Sequence, residues 1–145
     1  MGKLVGIAYR TAKRGPMHGL ETARVAPSEG VAGDFRGLPG PRQVTILSRD
    51  AWTETCADLG VELEWKLRRA NLLIEGIDLE DSAGGVLRIG GQVVLKITGE
   101  LAPCRRMDEA QDGLRRALAK QWRGGATSRV VEGGIIRLGD PVEFA

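Results

Sequence analysis

Twenty-one glycines cut this 145-residue chain into short apolar runs. Glycine enters the positive-φ conformations of tight turns at little steric cost, so a chain divided this way suits short strands better than long helices. Aromatic residues supply only 4% of the sequence. The core must therefore be built mainly from Val, Ile and Leu, which pack well on a pleated surface.

The runs Leu4-Val5-Gly6-Ile7-Ala8-Tyr9, Gln43-Val44-Thr45-Ile46-Leu47 and Ala70-Asn71-Leu72-Leu73-Ile74-Glu75 read as strands, the last largely buried. Val86-Leu87-Arg88-Ile89 and Val93-Val94-Leu95-Lys96-Ile97-Thr98 flank Gly90-Gly91, which predicts a hairpin. The C-terminal Ile135-Ile136-Arg137-Leu138-Gly139-Asp140-Pro141-Val142 repeats the pattern that begins at Val86, and predicts a second, similar hairpin.

Ser48 is placed to cap a helix from about Arg49 to Leu59, with Trp52, Cys56 and Leu59 on one face and Gly60 as its stop. Leu47 and Trp52 occupy the two positions of a hydrophobic staple. Leu114, Ala117, Leu118 and Trp122 predict a second amphipathic helix, capped by Asp108 or Asp112 and ended by Gly124-Gly125. Roughly seven strands and two helices without a βαβ rhythm predict a mainly β (α+β) fold, a mostly antiparallel β-barrel with peripheral helices. The length suits one domain over residues 1–145.

Twenty-one basic residues against nineteen acidic ones leave a formal charge of +2, which gives no general reason to bind nucleic acid. An anion site must be local. No apolar stretch approaches a membrane span, and the N-terminus lacks the pattern of a signal peptide, so the cytoplasm is the expected location. Two cysteines are too few for a disulfide framework, and with no Cys/His cluster a structural zinc is not expected.

Cys104 sits in Leu101-Ala102-Pro103-Cys104-Arg105-Arg106, directly after a predicted strand. The thiolate is the reactive, metal-binding form of cysteine, and adjacent guanidinium groups favour it, so Cys104 is a candidate nucleophile or soft-metal ligand. An ordinary loop thiol among solvated arginines is the plainer reading of the same residues. Cys56, on an apolar helix face, reads as a packing residue.

Arg68-Arg69-Ala70-Asn71 brings two cations and an amide to the start of a buried strand, a combination suited to phosphate or a pterin-like heterocycle. Exposed arginines at a strand-entry turn are the alternative. Arg129 is a weaker member of the same class. Gly33-Asp34-Phe35-Arg36-Gly37 lacks the ending of a P-loop. His18, the only histidine, has no partner identifiable from the sequence.

Taken in order, several of these segments resemble the MOSC family, named for the C-terminal domain of molybdenum cofactor sulfurases. The matching landmarks are Gly33-Asp34, Arg42 to Ser48, Arg69-Ala70-Asn71-Leu72, Gly76-Ile77-Asp78-Leu79, Leu87-Arg88-Ile89-Gly90, Pro103-Cys104-Arg105 and Gly139-Asp140-Pro141-Val142. The resemblance implies a β-barrel in which Cys104 ligates molybdenum or carries a persulfide. It also implies that Arg69 and Asn71 lie near the pterin and its phosphate and that Ser48 is a helix-start contact. Arg105 and Arg129, as cations, are further cofactor-binding candidates. Many relatives carry a histidine two residues after the aspartate, where this chain has Arg36.

Three functions follow as expectations. The first is a reductase holding the molybdenum cofactor, molybdopterin, and acting on N-hydroxylated compounds with electrons from an electron-transfer protein. The second is sulfur transfer through Cys104, loaded by a cysteine desulfurase. The third is a non-catalytic barrel binding an anion or a partner through Arg68, Arg69, Arg105 and Arg129. Pyridoxal phosphate, nucleic acid and membrane are not expected ligands.

Overall fold

The computed structural model describes residues 1–145. In chain order it comprises β1 (Gly2–Tyr9), β2 (His18–Gly19), β3 (Thr22–Ala26), β4 (Gly30–Val31), β5 (Val44–Ser48) and α1 (Arg49–Leu59). A short 3-10 turn (Trp65–Arg68) leads into β6 (Leu72–Glu75), β7 (Val86–Ile89) and β8 (Val93–Glu100). The chain continues with α2 (Arg105–Ala110), α3 (Leu114–Leu118), β9 (Ala126–Glu132), β10 (Gly134–Arg137) and β11 (Pro141–Phe144).

Seven strands form a closed barrel in the order β1, β6, β5, β9, β8, β7, β11, with β11 pairing back onto β1 through Gly2 opposite Val142. Closure leaves no open edge among these strands. Only β5 and β6 run parallel, with Ile46 opposite Leu72 and Ser48 opposite Ile74. A parallel pair needs a crossover, which α1 and the 3-10 turn supply. β2 pairs antiparallel with the end of β1, Tyr9 opposite His18, and β10, β3 and β4 form a separate three-stranded sheet.

Nineteen buried residues fill the main core, among them Leu4, Ile46, Leu72, Leu87, Leu95 and Ile97. Strand β7 shows the expected alternation, with Leu87 and Ile89 buried and Arg88 exposed. A second cluster lies between the helices and the outer faces of β5 and β6, where Leu47 and Leu73 meet Trp52, Cys56, Met107, Leu114 and Leu118. Both faces of β6 are thus covered, which is why Leu72-Leu73-Ile74 is uninterrupted apolar sequence.

Helix α1 follows the sequence closely. The Ser48 hydroxyl accepts from the Ala51 amide at 3.2 Å, and Gly60 adopts φ 67° at the C-terminal end. The Gly90-Gly91 hairpin also forms, with Ile89 opposite Val93.

The second predicted hairpin does not form. β10 pairs with β3 while β11 pairs with β7 and β1, so the two strands enter different sheets. Their junction is a tight turn with Gly139 at φ 94°, in which Asp140 accepts from the Arg137 amide at 2.8 Å. The repeated sequence encodes two turns of similar local chemistry and different strand pairing.

The second predicted helix forms in shortened form, as α3, and a separate short helix, α2, precedes it. Gln111 is extended and Gly113 takes φ 81°, so α2 and α3 are separate short helices. The Asp108 carboxylate bridges the break by accepting from the Arg115 amide at 3.0 Å. Leu114, Ala117 and Leu118 are buried as the periodicity requires, but Trp122 stands at φ 55° beyond the helix and packs on the barrel core instead.

Candidate functional site

Where β1 and β8 end and β5 and β6 begin, the connecting segments enclose a cleft of about 800 Å³. The loop after β1 contributes Arg10, Lys13 and Arg14, and the segment before β5 contributes Arg36 and Arg42. Lys66, Arg68 and Arg69 come from the 3-10 turn and its end, and Arg106 from α2. These nine basic residues face two carboxylates, Asp34 and Glu64. Of the nine, only Lys66 has an ion-pair partner, Glu64 at 3.4 Å. A chain of nearly balanced charge therefore concentrates its positive charge in one concavity.

The cations act on one another. Burial, followed by the charges of Arg69 and Arg36, lowers the Arg10 pKa, with Asp34 opposing the shift. Burial and then Arg106 lower that of Arg69. Holding like charges together with few counter-charges is unfavourable, and a bound anion relieves that cost.

Cys104 lines this cleft and is exposed to solvent, whereas Cys56 is buried against the helices. Cys104 caps the start of α2 in an extended conformation, with its carbonyl accepting from the Met107 amide at 3.0 Å.

Arg68 fixes the segments on either side of the thiol. Its buried guanidinium donates from Nη2 to the Leu101 carbonyl at 2.7 Å and from Nε to the Gly124 carbonyl at 2.9 Å. Nη1 lies 3.8 Å from the Met107 sulfur. Burial pushes the Arg68 pKa down to about 10, with Cys104 opposing the shift and Arg42 adding to it, so the group remains charged at neutral pH. The sequence alternatives for Arg68, a free binding cation or an exposed turn residue, both give way to an internal clamp.

Arg69 adopts φ 66° and donates through Nη2 to the Gly15 carbonyl, tying down the loop that carries Lys13 and Arg14. Asp34 has a comparable role: its carboxylate accepts from the backbone amides of Arg10 at 3.1 Å and Arg36 at 3.2 Å. The Gly-Asp loop thereby holds two cleft arginines, and Arg36, the departure from the family pattern, is one of them.

Asn71 lines the cleft but its amide is largely committed to the barrel wall. Oδ1 accepts from the Thr45 amide at 3.0 Å and lies 3.3 Å from the Thr45 hydroxyl, while Nδ2 donates to the Ala8 carbonyl at 3.1 Å. Arg105 faces an adjoining basin of about 440 Å³ lined also by Arg14, Arg69, Arg106 and Glu109.

Ser48 and Arg129 line neither space. The Ser48 hydroxyl is used by the α1 cap. Arg129 points outward from β9 beside Lys96, because the strand alternation buries Ser128 and Val130 instead. The His18 ring lies tilted at 48° to the Tyr9 ring, 5.5 Å between centroids, and is not part of the cleft. Sequence reasoning did not single out Arg10, Arg14, Arg36, Arg42, Lys66 or Arg106 as one group. Local signals exist in the basic run after β1, in Arg106 beside Cys104 and in Lys66 beside Arg68-Arg69, but nothing in the sequence joins these segments to one another or to Arg36 and Arg42.

Fold and site together define a small mixed barrel with one solvent-facing thiol in a cationic cleft. The chain belongs to the MOSC domain family, whose model matches residues 22–143. Among solved structures it is similar to the YUAD protein from Bacillus subtilis, with 19% identity and a TM-score of 0.79, covering 99% of this chain and 96% of that one. It is also similar to YiiM from Geobacillus stearothermophilus, with 14% identity and a TM-score of 0.78, covering 100% and 75% of the two chains. For YiiM from Escherichia coli the identity is 12%, the TM-score 0.72 and the coverage 99% and 69%. At these identities the likeness is one of fold. No curated protein matches the sequence.

Proposed function

We propose that the cleft receives the molybdenum cofactor as a preassembled anionic complex, with Cys104 as the protein's sulfur ligand to the metal. The observation that carries this reading is the exposed Cys104 thiol sharing one cleft with a cluster of cations, nearly all without ion-pair partners.

The donor set fits such a group. No cluster of three His, Cys, Asp or Glu residues is present to hold a bare metal ion. A single thiolate is too few ligands to retain one, so a metal bound here would bring most of its own ligands. Thiolate is a soft ligand suited to molybdenum, and guanidinium forks suit the phosphate carried by the pterin. Arg69 and Arg106 would hold that phosphate, Arg68 would keep the Cys104 segment on the barrel, and Asn71 would keep the cleft floor in register. When bound, the cofactor supplies two-electron redox chemistry, compatible with reducing an N-hydroxylated compound using electrons from a partner protein.

The same thiol supports a second reading, sulfur carriage. Cys56 is buried in the helix cluster, so no second exposed thiol is available to convert a Cys104 persulfide into an internal disulfide. In that step the Cys104 thiolate attacks the outer sulfur of a persulfide on a cysteine desulfurase. A new S–S bond forms at Cys104, the donor S–S bond breaks, and the donor cysteine leaves as a thiolate.

Metal and pterin content tests the first reading. Protein purified from a molybdenum-replete host is expected to carry both, and Cys104→Ala to lose the metal. Repeated preparations without molybdenum or pterin would overturn it. Intact mass after incubation with a desulfurase and cysteine tests the second, with one added sulfur expected in the wild type and none in Cys104→Ala; an unmodified wild type would exclude it.

A further inference from the structure

Beside the cysteine cleft, the smaller basin of about 440 Å³ is lined only by Arg14, Arg69, Arg105, Arg106 and Glu109. Arg14, Arg69 and Arg106 line the larger cleft as well, so the two spaces adjoin through shared guanidinium groups. We propose that the smaller basin is a second anion subsite, which takes a second phosphoryl group on a ligand whose first phosphate sits in the cysteine cleft. This inference rests on the reading of the larger cleft as a phosphate site.

Three features support it. None of the four arginines is in an ion pair, and Glu109 is the basin's only carboxylate. Two or three guanidinium groups suffice to grip one phosphate, so the combined spaces hold more donors than a single phosphate needs. The arginines also come from three separate parts of the chain: the loop after β1, the end of the 3-10 turn and α2. Three otherwise unrelated segments thus deliver charge to one place, and burial followed by the charge of Arg106 lowers the Arg69 pKa there.

The lining also says what the second group is not. No apolar or aromatic side chain borders the smaller basin, so a nucleobase would find no face to stack on. The subsite is suited to a bare phosphoryl group at the end of a diphosphate.

Calorimetric titration of the full chain with inorganic phosphate, pyrophosphate and ADP tests the proposal. Pyrophosphate is expected to bind about tenfold more tightly than phosphate, as one extra set of charge-assisted contacts allows. ADP is expected to bind no more tightly than pyrophosphate. Arg105→Ala, at an exposed position, is expected to bring the pyrophosphate-to-phosphate ratio close to one, and Arg14→Ala to reduce it; Arg129→Ala, outside both spaces, should leave the ratio unchanged. Phosphate binding without a preference for pyrophosphate, or a preference that survives Arg105→Ala, would overturn the second subsite and leave the larger cleft's assignment standing. Tighter binding of ADP than of pyrophosphate would overturn the bare-phosphoryl assignment. Failure of every anion to bind would remove both readings together.

Discussion

Arg68 and Gly124, 56 positions apart in sequence, are joined by a 2.9 Å hydrogen bond from the guanidinium Nε to the glycine carbonyl. The same side chain reaches the Leu101 carbonyl at 2.7 Å, so the 3-10 turn, the approach to Cys104 and the entry to β9 are fastened at one point. Arg68→Ala would leave two carbonyls without their donor and open a void among them. The expected loss is roughly 3 kcal/mol or more of unfolding free energy, measured by urea denaturation. Arg68→Lys keeps the charge but not the fork and should fall between the two.

The two thiols should differ sharply in reactivity. Cys104 is exposed and Cys56 is buried among Trp52, Leu47 and Leu118. Titration of the native wild type with a thiol reagent is expected to modify one cysteine quickly, and denaturant to release the second. Native Cys104→Ala should show no fast phase; a fast phase in that variant would contradict the assigned burial of Cys56.

Gly125 is required by both its backbone and its surroundings. It takes φ 106°, and a Cβ there would stand 2.2 Å from the Ile46 carbonyl oxygen. Gly125→Ala must shift β5 or β9 to fit, with an expected cost above roughly 2 kcal/mol. A thermal unfolding profile matching the wild type would be the contrary result.

Asp58 gives the stability a defined acid dependence. Its hydrogen bond to Arg123, 2.7 Å long, is the main reason its pKa lies below the ordinary value of 3.8. A carboxylate depressed in the folded state contributes stability above its unfolded pKa and loses it as pH falls through the folded value. Asp58→Asn should therefore unfold more easily than the wild type at neutral pH. The difference should close as the solution is taken below the carboxylate range, as followed by thermal melts across pH.

Sequence signals are legible where local forces decide the structure. Ser48, Trp52 and Gly60 specify α1 because capping and the left-handed stop act within a few residues. Gly90-Gly91 specifies a hairpin for the same reason. The Ile135 to Val142 segment misled because turn chemistry is local whereas partner choice is not: β3 and β7 compete for its strands from far away in sequence. The apolar spacing of Leu114, Ala117 and Leu118 locates α3, but its continuation to Trp122 overstates the length, because the helix ends at Leu118 and Trp122 turns to the barrel core.

The candidate site was legible only in part. Cys104 and Arg69 stood out by sequence context and both line the cleft. Arg10 and Arg36 carry no motif of their own, Arg42 only opens the Arg42 to Ser48 landmark, and only the folding of separate loops brings the three to the thiol. Arg68 and Asn71 stand out in the sequence by their donors, but the fold uses those donors internally. Side chains able to bind a ligand and side chains able to knit a barrel have the same chemistry, and sequence alone does not separate them.

The loop carrying Lys13 and Arg14 is exposed and is tied to the 3-10 turn by Arg69 through Gly15. Cys104, by contrast, is set by groups anchored in the barrel. On the proposed reading of the cleft, substitutions or insertions in that loop would change how long or how highly charged a guest fits while sparing the thiol's geometry. Selectivity and reactivity are in this sense separable traits, open to independent adjustment by evolution or by design.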